Sequence, residues 1–463
     1  MSRRALRASL AAALLALLPG ARPAEAAGRK PYHGVVTVPV GDLLGATDPH
    51  AARGPDDRVV ASLVHARLVV PDGAGGVRPE LAAELPTVTG RGLVFTLVDG
   101  ATFHDGSPVR AADVVLSLRR AGQAADKAGV GALFAALGVD ESDGRVVVTP
   151  PRGASTAEVL ALLARPEAAI LEGGRPGTDR GAGPFRPAGD GARAYRLDAF
   201  AGAARGRPFL DAVQLKRVAD TEAERTAFAF GELDLSDEDS TRGRRVGRPV
   251  ASGRVTWLAI PNPRFSGDGA SDLRRAVAVL AARARLGRFV EARPLDGDGL
   301  WPRGVGPSDD AITPPTAPPA LPALTIAYRA DDRELGDLAR ALRDTLRPMV
   351  SGTARVVAVP GLDAAAARGA PRPDWDFALV RHVWAATTPA QAALELALTV
   401  GIAPPDAASV LAGDVRRWAD LAVKRARAIP ILHCDAPLLV RPGVNVAPEA
   451  PGVPDLADGW RSR

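Results

Sequence analysis

Cysteine is nearly absent from this chain: Cys434 stands alone. One thiol makes no internal disulfide and no Cys-based metal cluster, and residues 428–433 before it read as a buried strand, so an inert core thiol is expected. Aromatic residues are also scarce, at 4% with three Tyr, which leaves few rings for stacking on a ligand. Catalytic motifs are missing. There is no G-x-S-x-G elbow, no H-E-x-x-H, no G-x-x-x-x-G-K and no G-x-G-x-x-G after a strand. Nothing offers the activated nucleophile that a secreted hydrolase needs. The six His are scattered, so the sequence shows no cluster of the kind that holds a four-coordinate metal, and no cofactor is expected. No block of six or more Lys/Arg exists, which argues against a nucleic-acid partner. The basic run 242–248 sits beside the acidic run 234–239 and reads as a solvated loop. No stretch approaches 18 uninterrupted apolar residues, so no membrane span is expected.

What is present is length and apolar mass. The 463 residues are 46% hydrophobic, enough for two or more folding units. Net charge is +5, but the first 26 residues carry four Arg and one Glu, leaving +2 for the rest. Those 26 residues have the form of a secretory signal. Arg3, Arg4 and Arg7 give a positive start, residues 10–18 a short apolar run, and Ala24-Glu25-Ala26 a small-x-small cleavage site. The expected mature protein starts at Ala27 and is periplasmic or secreted, with no cysteine at the cleavage site to carry a lipid.

The stretch 81–121 organises the rest. Gly90 and Gly92 supply a turn before a β-rich run, 93–98. Asp99-Gly100 and Asp105-Gly106-Ser107-Pro108 turn the chain twice around Phe103 and His104. Ala111-Ala112-Asp113 opens a helix with Val114, Val115, Leu118 and Ala121 on one face. A structural hydrogen bond is the expected role of His104. Further on, Gly181-Ala182-Gly183-Pro184-Phe185 suits a close crossing of two backbone segments. Strands are expected at 34–40, 145–149, 213–218, 255–260, 324–328, 355–359, 376–380 and 429–433. Helices are expected near 57–69, 131–137, 155–164, 220–230, 272–278, 334–346 and 421–427. Ser155 or Thr156 is expected to cap the third of these, with Glu158 at capping-box spacing from Ser155.

The block 81–121 resembles the signature of the family 5 extracellular solute-binding proteins, the peptide and nickel receptors of ABC importers. Asp99, Gly100, Phe103, His104, Asp105, Gly106, Pro108, Ala111, Asp113, Val114, Ser117 and Leu118 match at fixed offsets, while Val98 replaces a usual basic residue. The 181–185 motif, Gly206-Arg207-Pro208-Phe209-Leu210-Asp211, and Gly231-Glu232-Leu233-Asp234 match further family motifs in register. The resemblance implies an α/β, bilobal, type II (cluster C) periplasmic-binding-protein fold with an extra small αβ subdomain in lobe I and a hinge. In that reading, 27–54, 179–258 and 436–463 form the lobe I core, 55–178 the additional subdomain and 259–435 lobe II. The strand–helix–strand rhythm of lobe II argues for parallel pairing there.

The resemblance also implies a function: capture of a small solute, peptide-like by default, between two lobes, and delivery to an ABC permease by a monomer without catalytic activity. A transport-inactive sensor or scaffold of the same fold is the alternative. In peptide-binding relatives a carboxylate in a W-x-x-D-x-x-D-P segment pairs with the ligand ammonium. Aligned on Pro389, that position here is Ala385. A buried ammonium without its counter-charge costs several kcal/mol, so an anionic or neutral ligand is expected. Arg329 follows the first strand of lobe II, where some relatives place an Arg for a ligand carboxylate. Arg381 and His382 beside Trp384, with Trp257 and Trp301 as further cleft walls, complete the expected ligand-binding set.

Overall fold

The computed structural model describes residues 32–41, 48–51, 55–124, 130–176, 181–188, 196–236, 247–262, 265, 271–290, 293–295, 301–302, 315, 320–362, 367, 374–384, 388, 391–392, 394–396, 407–412, 428–450 and 453–462. The expected signal segment 1–26, the loop 237–246, the helix 421–427 and Ala385 lie outside the described residues.

Strand β1 (Val35–Val40) buries every second side chain, Val36, Val38 and Val40, as the two-residue strand period requires. Helix α1 (Pro55–Val64) starts on a proline, whose missing N–H is harmless in a first turn, and carries Asp56 and Asp57 where the helix dipole favours acids. Strand β2 (Gly92–Phe95) is antiparallel to 87–89 and 145–149, in a four-stranded sheet completed by 138–142. A Cβ on Gly92 would lie 2.3 Å from the Val148 carbonyl oxygen, so this approach requires glycine.

Helix α2 (Ala111–Ala124) presses Val114, Val115, Leu118 and Ala121 into the core. One Asp113 carboxylate oxygen accepts from the Arg110 N–H at 2.8 Å and the other from the Gly173 N–H at 2.9 Å. The signature residues therefore build scaffold. Helix α3 (Thr156–Leu163) has Ser155 at its N-cap, but the expected side-chain cap is not formed. The Ser155 N–H instead donates to Leu411 O at 2.8 Å, and Glu158 accepts from the Thr388 hydroxyl at 2.6 Å. Long-range partners have claimed the groups that a local cap would use.

Strand β3 (Ala212–Arg217) pairs parallel with β1 and antiparallel with 196–199, and 185–187 extends that sheet. The crossing expected at Gly181 and Gly183 is present: Cβ atoms there would come within 1.8 Å of Val64 O and 2.5 Å of Val64 C. His104 clamps this crossing. Its backbone N–H donates to Gly181 O at 2.8 Å and its ring Nε2 lies 3.1 Å from Gly183 O, which fixes the Nε2–H tautomer.

The largest sheet holds β4 (Arg248–Pro261), β5 (Leu324–Arg329), β6 (Phe377–Trp384) and β7 (Ile429–Val440), with helix α4 (Arg333–Leu346) packed against it. Among the described strands of this sheet, parallel pairing is confined to β5 with 354–359 and with β6. β4 runs antiparallel to both β6 and β7. The sheet is therefore mixed, a correction to the all-parallel expectation, because β4 brings the chain into this sheet and β7 takes it out in the opposite direction. In α4, Leu335, Leu338, Leu342 and Leu346 form the buried stripe, and Asp332 caps the helix by accepting from the Leu335 N–H at 2.8 Å.

The two faces of β4 serve different cores. Val255, Trp257 and Ala259 pack with α4, Ile429, Ile431 and Cys434. Leu258 and Ile260 join Val380 and Trp384 in a core that continues into β2, α2 and α3. A third core surrounds β1 and β3 and reaches Val440 and Val444.

Candidate binding site

The first and last parts of the chain meet at a polar seam beside β6. From the N-terminal side come Arg58 of α1 and the segment just after α3, where Arg165 precedes the single 3-10 turn Pro166–Ala168. Arg165 directs Nε and Nη2 at the two oxygens of Glu167, at 3.2 and 3.1 Å, a side-on bidentate pair. Arg58 Nε reaches the same Glu167 at 3.3 Å. From the C-terminal side, Glu395 accepts from Arg165 Nη1 at 3.1 Å. The side chains of Arg165, Glu167 and Glu395 are 6%, 5% and 8% exposed. Burial alone would raise the Glu167 carboxyl, but Arg165 and Arg58 outweigh it and hold the group at about 2. Burial disfavours the Arg165 cation, yet Glu167 and Glu395 keep it charged more firmly than usual.

A second polar group sits on the inner face of the large sheet. Thr256, opposite His382 in the β4–β6 register and opposite His433 in β4–β7, is fully buried. The Trp384 indole N–H donates to its hydroxyl oxygen at 2.8 Å, and the hydroxyl lies 2.8 Å from His433 Nδ1. Indole is donor-only, so the hydroxyl accepts from it and can donate its own proton to the imidazole. The Trp301 ring lies 5.7 Å from that of Trp384, tilted by 55°, and His382 meets Trp384 edge-on at 4.4 Å. Burial pushes the His382 imidazole down to about 4, while Glu395 and Arg58 act on it in opposite senses.

Of the six residues singled out in the sequence, His382, Trp384 and Trp301 come together here. Strand alternation carries the others elsewhere. Trp257 faces the α4 core at 1% exposure. Arg381 lies opposite Trp257 in the register, on the other face of β6 from His382, and its charge acts on Cys434. Arg329 is held at the end of β5 by Asp331 at 3.0 Å and lies 3.9 Å from Asp332. The sequence reading missed Arg58, Arg165, Glu167 and Glu395. One signal was available: Arg165 and Glu167 interrupt the apolar run 159–171, where an unpaired charge would not be tolerated.

Beside the seam, His50 is fixed as a neutral ring. Arg120 donates to its Nδ1 at 2.7 Å, and its Nε2–H donates to Ala169 O at 2.8 Å. Arg120 is in turn paired with Asp48. A separate cavity of about 220 Å3 opens between Tyr32, Phe209, Arg205, Arg207 and Asp458. Its cations are already engaged, Arg205 by Asp458 and Arg207 by Asp211. Among the described residues no group of three or more His, Cys, Asp or Glu is placed to hold a metal.

This arrangement of sheets defines the class: a mixed α/β fold of the type II periplasmic-binding-protein kind. Residues 76–295 match the sequence model described as bacterial extracellular solute-binding proteins, family 5 Middle. The pheromone receptor PrgZ, solved for its mode of peptide binding, superimposes with a TM-score of 0.71 at 14% identity, covering 93% of this chain and 99% of that one. The Escherichia coli murein tripeptide binding protein MppA gives 0.68 at 14% identity, covering 94% and 99%. The binding protein AgaA from A. tumefaciens R10, solved with agropinic acid, gives 0.68 at 19% identity, covering 93% and 99%. No curated protein matches the chain at the sequence level.

Proposed function

We propose that the protein is a solute-binding receptor that encloses a small solute between two lobes and presents it to an ABC-type permease, without chemical change to the solute. The observation that carries this reading is the polar seam. Charged and aromatic side chains from distant parts of one chain converge on a single buried zone, in a fold shared with a pheromone receptor solved for its mode of peptide binding, a murein tripeptide binding protein and a binding protein solved with agropinic acid. The lobe division that fits is 27–54, 179–258 and 436–463 for the lobe I core, 55–178 for its additional subdomain and 259–435 for lobe II. The seam then lies where the additional subdomain faces lobe II, the place at which hinge closure traps a ligand. A secreted or periplasmic monomer fits the expected signal segment.

The test is a thermal-shift screen of peptides, organic acids, sugars and amines, followed by small-angle scattering of the best binder. A solute at a hundredfold excess over Kd adds about 2.7 kcal/mol to folded-state stability, and closure lowers the radius of gyration. A complete set with neither response overturns the receptor reading. A second reading, a sensor or scaffold that no longer feeds a permease, draws on Ala385, which stands where peptide-binding relatives carry the ammonium-pairing acid. Permease and ATPase genes beside its own would argue against that reading.

A further inference from the structure

The ion chain is balanced only across the seam. On the N-terminal side, Arg58 and Arg165 share the one carboxylate of Glu167, so that trio alone carries a net charge of +1. Of the neighbouring charges there, Arg120 pairs with Asp48 and Arg67 with Glu80, while Asp56, two positions before Arg58, accepts from the Gly41 N–H. His50 is neutral through its fixed hydrogen bonds. The missing negative charge is supplied from the far side of the seam, by the Glu395 carboxylate on Arg165 Nη1. Glu167 holds the Nε/Nη2 edge of the guanidinium and fixes its plane, so Nη1 is aimed across the seam before anything arrives. A fixed guanidinium edge with a net positive field, closed off from water, is a donor site for a carboxylate.

We propose that Glu395 is an internal stand-in for a solute carboxylate: the ligand of this receptor is a small organic anion whose carboxylate displaces Glu395 from Arg165. This rests on the receptor reading above and adds to it a ligand class and a built-in competitor. Glu395 is held by its tether at high local concentration, so it lowers the apparent affinity for the solute by the fraction of time that Arg165 is free. If Glu395 occupies Arg165 nine-tenths of the time, the loss is about tenfold. Specificity follows too, since a neutral solute gains nothing by displacing Glu395 and would leave Arg165 buried without its balance of charge.

The experiment is calorimetric titration of the full chain and of Glu395→Gln with matched pairs: benzoate and benzamide, propionate and propionamide. Circular dichroism confirms that both proteins are folded. Should Glu395→Gln fail to fold, Glu395→Asp, which withdraws the carboxylate by one methylene, takes its place. The expected result is that carboxylates bind in preference to their amides, that the substitution tightens carboxylate binding about tenfold, and that amide binding does not move. Equal carboxylate affinity in both proteins overturns the proposal, as does binding of the amides in preference to the acids; either result leaves the receptor reading standing. Failure of these probes together with every solute in the wider screen overturns both.

Discussion

His104 is where the fold and its acid sensitivity meet. The ring is 8% exposed, its Nε2–H donates to Gly183 O, and Phe200 packs against it edge-on at 4.9 Å. Burial, outweighing the hydrogen bond to Gly183, lowers its imidazole from an ordinary 6.5 to about 4. Below pH 6.5 the unfolded chain takes up a proton that the folded chain refuses. The stabilisation is therefore complete above pH 6.5 and is lost as pH falls toward 4. At about 1.4 kcal/mol per pH unit, the loss is about 2 kcal/mol at pH 5 and about 3 kcal/mol at pH 4. Glutamine can place an amide N–H near the Nε2 position but does not titrate. His104→Gln should cost about 1 kcal/mol at pH 8, through the lost ring contact. At pH 5 it should be the more stable protein by about 1 kcal/mol, since the wild type has lost about 2. The assay is urea denaturation of both proteins at pH 8, 6.5 and 5, with the curves of stability against pH crossing between pH 5 and 6.5. His382, lowered to about 4, adds slope of the same sign to both proteins and drops out of the difference, whereas His65, lowered to about 3 by burial and then by the His104 charge, keeps the burial effect but loses that of His104 in the variant. Parallel curves for wild type and variant would refute the reasoning.

Three other outcomes are expected. Arg165→Met leaves Glu395 buried without its cation and should destabilise the protein by about 3–5 kcal/mol in urea, far more than an exposed Arg would. Gly183→Ala drives a Cβ to 2.5 Å from the Val64 backbone and should abolish soluble expression, while Gly106→Ala, strained only by its φ of +89° in open space, should cost about 1 kcal/mol by thermal melting. Cys434, fully buried and with its thiol pushed up to about 12 by burial, should resist a thiol reagent at pH 8 until urea unfolds the chain.

Much of the scaffold was legible because its determinants are local. The buried stripe of α2, the leucine face of α4, the alternation of β1 and the glycines at the 181–183 crossing each follow from periodicity or backbone need within a few residues. The Ser155 cap was misread for the same reason. Local spacing suggested a capping box, but the Ser155 N–H and Glu158 found partners at Leu411 and Thr388. The site was half legible. A tryptophan cluster could be nominated by residue type, and the two-residue strand period then sorted Trp384 and His382 to the seam and Trp257 and Arg381 away from it. The pairing of Arg165 with Glu395 spans 230 positions and leaves no mark at that distance except a charge within an apolar run.

The long ribbon of β4 and β7 has a consequence for how the chain is made. Thr256 and His433 touch although 177 positions separate them, and β7 supplies Ile431 and Cys434 to one core and Val440 to another. The first core cannot close until residue 434 has left the ribosome, nor the second until residue 456 has. Assembly that waits on contacts so distant in sequence is slow, so the newborn polypeptide stays threadable nearly to its last residues. A translocation channel that admits only unfolded chain would find this one ready.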